Sequence, residues 1–177
     1  MKLLIKVYLE NINSYNIMNI LELLNSNMKD PYICVTTNTD FNFEPYIYFY
    51  LNENSIPKMI NYKLSELDWD ILLPIYKPLI SLPNFDVEIK NIYKQHFPNL
   101  DGVLFIDNIP IIGRKYYEKF NYIYNPIYKN NFEKELIDVS NILNKSKFID
   151  KVLFKELSMR SDDDNIYELR KKFNFGL

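Results

Sequence analysis

The chain has 177 residues, 47% of them hydrophobic, and 21 basic against 23 acidic side chains for a net charge of −2. That length supports one domain with a substantial core, spanning residues 1–177, and is too short for two comfortable ones; the slightly acidic balance excludes the basic footprint of a duplex nucleic-acid binder. A single cysteine, Cys34, excludes an internal disulfide and, inside Ile33-Cys34-Val35, reads as a small buried hydrophobe.

Leu3, Ile5 and Val7 alternate with Leu4, Lys6 and Tyr8, the period of a strand. That alternation is not the continuous apolar core of a signal peptide, and no apolar run approaches the ~20 residues that cross a bilayer. A soluble protein of a reducing cytoplasm is expected. Asn11 to Ser14 supplies turn and N-cap chemistry before a helix carrying Ile17, Ile20, Leu21 and Leu24 on one stripe. Tyr32 to Thr37 is a second strand, so the chain opens as a βαβ unit with a parallel sheet. Tyr46 to Leu51 is a third strand, Pro57 to Asn61 opens a short helix, and Leu67 to Leu73 ends in a fourth, deeply apolar strand.

Pro74, Pro78 and Pro83 then forbid regular structure for long. Asn84 opens a helix along Phe85, Ile89, Ile92 and Tyr93 that closes at Phe97-Pro98, and Val103 to Ile106 is a fifth strand. It ends in Asp107, where open α/β sheets put functional residues, because strand carboxyl ends face the ligand crevice. An aromatic segment with Tyr116, Tyr117, Tyr122, Tyr124 and Tyr128 reads as a loop or lid. Phe132, Leu136, Val139 and Leu143 then mark a helix with Glu133 and Glu135 in its first turn, where exposed N–H groups favour acids. Val152 to Phe154 is a last short strand. Ser161 to Asp164 caps a final helix through Ile166, Leu169 and Phe173.

The three glycines are too scattered for a dinucleotide fingerprint or a P-loop. One histidine and one cysteine cannot make a zinc site of the usual composition, and His96 reads as a structural or surface residue. Asp162-Asp163-Asp164 stands just before a helix, so capping outweighs cation binding as its reading. The richness in Asn, Ile, Lys and Tyr fits a viral or other AT-rich genome and carries no chemistry of its own.

Several phrases in order resemble the GT-A nucleotide-sugar glycosyltransferases, in the family 2-like branch of bacteria and large viruses. They are Met59-Ile60-Asn61, Trp69-Asp70-Ile71-Leu72, Phe97-Pro98-Asn99-Leu100-Asp101-Gly102-Val103, Ile112-Gly113-Arg114-Lys115-Tyr116-Tyr117, and Asn121 to Tyr128. The likeness runs over most of the chain and is densest from Ser55 to Phe154. It implies a single-domain, Rossmann-like α/β fold with a mostly parallel sheet flanked by helices, truncated on the acceptor side.

The departures are equally specific. Where the family carries the acidic motif that holds a divalent cation on the donor's diphosphate, this chain has Tyr76-Lys77-Pro78, and the family's later histidine falls at Lys155. The resemblance therefore implies Asp40 and Asn61 near a nucleotide, Lys77 near the diphosphate, Asp107 near the sugar, and Glu133 or Glu135 as base. No divalent cation is expected. The partners implied are a nucleotide sugar and an acceptor hydroxyl, with metal-independent or lost catalysis. The alternative is a non-catalytic structural or interaction protein, such as a virion or assembly component, that binds a protein partner.

Overall fold

In the computed structural model, which describes residues 1–9 and 14–156, the first strand is β1 (Leu3–Val7). Along the chain follow α1 (Ser14–Ser26), β2 (Ile33–Thr37), β3 (Ile47–Tyr50), α2 (Ile56–Asn61), β4 (Ile71–Ile75), β5 (Leu79–Ser81) and α3 (Phe85–His96). Then come β6 (Val103–Ile106), β7 (Ile109–Gly113), α4 (Arg114–Phe120), α5 (Phe132–Ile142), β8 (Ser146–Ile149) and β9 (Phe154–Glu156). The expected capping residues Asn11 to Asn13 and the expected final helix with Asp162 to Asp164 lie outside the described residues.

One sheet takes seven of these strands in the order β3-β2-β1-β4-β7-β6-β8, and β5 pairs with β9 in a separate ribbon. Strands β1 to β4 are parallel, as are β6 and β8, and β7 runs against both its neighbours. The carboxyl ends of β1 to β4 and β6 therefore share one edge of the sheet. Alternation along β1 splits the core in two. Leu3, Ile5 and Val7 pack with Ile17, Leu21, Ile89 and Tyr93 under α1 and α3. Leu4 and Tyr8 pack with Ile60, Tyr116, Tyr124 and Leu136 on the face that carries α2, α4 and α5.

The expected fourth strand starts later and runs further than its apolar stretch, because Leu64–Glu66 forms a 3₁₀ turn whose Leu64 carbonyl accepts the Trp69 indole N–H at 3.0 Å. Pro74 sits inside β4 without breaking it. The Ile75 carbonyl accepts from Tyr8 N at 2.9 Å, so Ile75 faces β1 and Pro74, one residue out of phase, faces the other side. There β7 pairs only with Ile71 and Leu72, so the missing proline N–H interrupts no ladder.

Four elements depart from the sequence reading, the first being the short strand β5 within the proline-punctuated stretch. Strand β6 continues through a tight hairpin, with Asp107 (φ 52°) and Asn108 (φ 61°) both left-handed as a two-residue primed turn requires, into the unforeseen strand β7. The front of the expected aromatic loop is instead helix α4, with Tyr116 and Tyr117 buried. Strand β8, also unforeseen, seals the edge beside β6, and Phe148 stacks on Phe105 at 4.6 Å.

Lys6 lies at the centre of β1 with no exposure. Its ammonium donates to the Tyr62 carbonyl at 3.0 Å, approaches Cys34 Sγ at 3.4 Å and stands 5.0 Å over the Phe49 ring. Burial pushes its pKa below 10.5, partly offset by Cys34. Between that lowered value and 10.5 the unfolded chain binds more protons than the fold, so this lysine makes stability rise with pH there and weakens the fold at every lower pH. We expect Lys6→Met to raise stability at neutral pH by about 1 kcal/mol. Urea denaturation at neutral and alkaline pH checks this, and the variant should lack the lysine's share of the alkaline gain.

Candidate functional site

Strand β4 delivers Tyr76 and Lys77 to the carboxyl edge of the sheet, where α5 meets them with its first turn. Asn131 precedes α5 in a left-handed conformation and gives no side-chain cap, which leaves the helix N-terminus to the acids of its first turn. Three rings fix this junction: Tyr76 and Phe132 at 5.6 Å, Tyr76 and Tyr124 at 5.6 Å, and Tyr124 and Phe132 at 4.7 Å. Each pair is tilted or edge-on, the favourable geometry for aromatic contacts. Burial, and then the nearness of Tyr76 and Glu133, raises the Tyr124 phenol well above its ordinary value, so it stays a neutral hydroxyl.

On this platform the Tyr76 hydroxyl donates to Glu133 Oε1, and the Lys77 ammonium stands 3.7 Å from the same oxygen. Lys77 also lies 5.6 Å over the Tyr76 ring, and both Lys77 and Glu133 are about half exposed, at 50% and 46%. The two expected carboxylates do not converge. Two residues along a helix is about 200° of rotation, and Glu135 turns away to accept from Asn125 Nδ2 at 3.2 Å. It joins the lining of a separate pocket between α4 and α5.

Other expected site residues have employments that their sequence setting did not reveal. Asn61 accepts from Ile123 N at 2.6 Å and donates to the Tyr124 carbonyl at 2.5 Å, clamping the segment before α5 onto α2. Asp107 accepts from the backbone N–H groups of Leu153 and Phe154 at 2.7 and 2.9 Å, which ties β9 to the hairpin. Asp40 is exposed in the loop after β2, at the edge that also carries Lys77. Lys155 pairs with Ile80 across the small ribbon, three positions beyond Lys77. Tyr76 was missed as a site residue, although its place directly after the apolar strand marked it.

Among the described residues no cluster of three or more His, Cys, Asp or Glu side chains is disposed to hold a metal ion. Nor is any described helix long and apolar enough to cross a membrane.

No family model and no curated protein matches the sequence. Solved structures do match. The crystal structure of S. aureus TarS superposes with a TM-score of 0.67 at 13% identity, covering 99% of this chain and 39% of that one. TarS 1–349 in complex with UDP gives 0.66 at 12% identity, covering 99% and 65%. Its complex with UDP-GlcNAc gives 0.61 at 14% identity, covering 99% and 66%. This chain thus spans 39% of TarS and about two thirds of its 1–349 portion. With strands β1 to β4 parallel, β7 reversed and helices on both faces, the fold over the described residues is the GT-A-type α/β fold of TarS.

Proposed function

We propose that this domain binds a nucleotide sugar at the carboxyl edge of its sheet without a divalent cation and transfers the sugar to an acceptor hydroxyl. The observation that carries the reading is the 3.7 Å approach of Lys77 to Glu133, which brings a cation and a carboxylate together at the end of β4. In this reaction the acceptor oxygen attacks the anomeric carbon as Glu133 takes its proton. The bond to the nucleoside diphosphate breaks, and Lys77 meets the charge that develops on the leaving phosphate. Donor entry turns Lys77 from Glu133 to the diphosphate. A half-exposed ion pair is worth about 0–1 kcal/mol, so the exchange costs little. It frees the carboxylate to act as base, while the Tyr76 hydroxyl continues to orient it.

Calorimetric titration with UDP, GDP and UDP-GlcNAc, with manganese and with EDTA, tests this proposal. We expect binding that is indifferent to the metal. We also expect Lys77→Ala to weaken it at least tenfold, about 1.4 kcal/mol, with a change in folding stability within about 0.5 kcal/mol. Tight binding that survives the substitution would end the charge-replacement idea. A second reading, a non-catalytic structural or interaction protein on the same fold, is favoured by one feature: the Tyr76 hydroxyl and Lys77 both occupy one oxygen of Glu133. A wild-type protein that binds none of these ligands would establish that reading instead.

A further inference from the structure

We propose that a cleft at the amino edge of the sheet, opposite the edge that carries Lys77, binds a small organic phosphate through Lys2, Lys29 and Lys90. The cleft opens between the start of β1, the turn at residues 29–32 and helix α3, and its volume of about 490 Å³ is that of a small-ligand site. Its lining brings together those three ammonium groups and one carboxylate, Asp30, with Pro31 and Tyr32 as the less polar wall.

The second observation is that these walls are already fastened. Asp86 on α3 is fully buried, and its carboxylate accepts from Lys29 N at 3.0 Å and Asp30 N at 3.2 Å. The Tyr32 carbonyl accepts from Ile5 N at 2.9 Å, which ties the end of the turn to β1. Lys90, its side chain only 17% exposed, reaches from α3 to Asp30 at 3.2 Å and to Asp86 at 3.4 Å. Lys2 pairs with Asp68. The Lys29 ammonium has no acceptor among the described residues. A ligand therefore meets a preformed turn and is spared the cost of ordering it.

The chemistry selects among ligand classes. Each ammonium group has three N–H donors, so most donors in the cleft stay unspent, while its one carboxylate is already engaged by Lys90. That surplus calls for a head rich in acceptors and negative charge. A phosphomonoester carries about −1.5 to −2 charge near pH 7 and three acceptor oxygens, and Pro31 and Tyr32 offer apolar contact to the group that bears it. A cation would be repelled, and an uncharged sugar would leave Lys29 without a counter-charge. A long polyanion needs a row of phosphate contacts, which one cleft on a chain of net charge −2 does not provide. Leu3 pairs with Ile71 and Val7 with Ile75, so a strand's length, roughly 15–20 Å, separates the cleft from Lys77. The proposal does not rest on nucleotide-sugar binding there.

The test is an amide-resolved NMR titration of the full chain at constant ionic strength, using glucose 6-phosphate, AMP, inorganic phosphate and glucose. We expect at least one of the two esters to give saturable shifts at Lys29, Asp30 and Tyr32 with millimolar affinity or better, inorganic phosphate to bind more weakly, and glucose to give no shifts. Which ester binds tighter identifies the group that rests on Pro31 and Tyr32. Lys29→Ala should weaken binding at least tenfold with an unchanged thermal midpoint, because its ammonium holds nothing in the fold, and Lys29→Arg should largely restore it. Lys90→Ala is not the variant of choice, since it also strips a partner from buried Asp86. The proposal is overturned if neither ester shifts these amides at high millimolar concentration, if glucose or inorganic phosphate binds as tightly as the esters, or if Lys29→Ala binds as the wild type does. Lys77→Ala should leave all of these shifts in place, so the two proposals can fail separately.

Discussion

Gly113→Ala should destabilise the fold by about 3 kcal/mol, the upper part of the range for overfilling a packed site. A methyl group there would lie 2.1 Å from the Leu100 carbonyl oxygen and 2.2 Å from the Tyr93 hydroxyl. Neither neighbour can retreat. Leu100 is held in the left-handed region at φ 65°, and its carbonyl accepts from Lys115 N at 3.1 Å. The Tyr93 hydroxyl donates to the Gly102 carbonyl at 2.7 Å, and Gly113 N donates to the same carbonyl at 3.0 Å. For a chain of this length such a loss lowers the midpoint by roughly 6–12 °C, which calorimetry would read directly. A cost below about 1 kcal/mol, the ordinary value for a point substitution, would show that the Leu100 turn yields. Gly113 pairs with Ile71 at the start of β4, whereas Lys77 follows its end, so a nucleotide titration at permissive temperature should be unchanged.

The same geometry explains which parts of the molecule could be read from the chain. The phrases that carry the glycosyltransferase likeness are largely a packing unit. Trp69 lies 5.3 Å from Tyr117, with the Arg114 guanidinium 4.8 and 5.5 Å from their two rings, and Arg114 N donates to the Asp70 carbonyl at 2.8 Å. Asp101 pairs with Lys119 at 2.5 Å and Lys145 at 3.0 Å, joining α4 to the start of β8. These residues build the amino edge of the sheet and the turn beneath α4. They therefore announced the fold without announcing the site.

Elements with a clean pattern were legible for a simple reason: α1, α3 and α5 each bury one face against the sheet, β1 and β2 are buried throughout, and the run of apolar residues is the record of that burial. The misses have local causes. Pro110 interrupts the apolar run that became β7, and α4 begins after Gly113 with no side-chain cap to mark it. Pairing across space was invisible as well. The order of residues places Glu133 and Glu135 in one helical turn, but only the packing of Phe132 against Tyr76 and Tyr124 decides which of them faces Lys77. Likewise, nothing near Asn61 in the chain marks it as a clamp on residues more than sixty positions away.

Asp107 is the sharpest instance, and its replacement should separate a structural anchor from a sugar ligand. Its carboxylate accepts two backbone N–H groups through one oxygen, those of Leu153 and Phe154, residues that are 3% and 5% exposed. Phe154 in turn packs on Phe85 at 5.3 Å, and β9 pairs with β5, which begins two residues after Lys77. Asp107→Ala leaves both amides without an acceptor and puts a less suitable residue at φ 52°. Bonds to a charged acceptor contribute about 1.5–3 kcal/mol each, and shared acceptance lowers the sum, so we expect a loss of about 3 kcal/mol. Asp107→Asn, which keeps a neutral acceptor and tolerates the same backbone, should lose about half as much. Hydrogen exchange gives the deciding readout: protection of the Leu153 and Phe154 amides should collapse in the alanine variant and persist in the asparagine one. If Asp107 instead served a sugar, Asp107→Asn would abolish discrimination between UDP-GlcNAc and UDP while both amides stayed protected. We expect the opposite, because the two hydrogen bonds that the Asp107 carboxylate accepts both come from backbone amides that anchor the chain at β9.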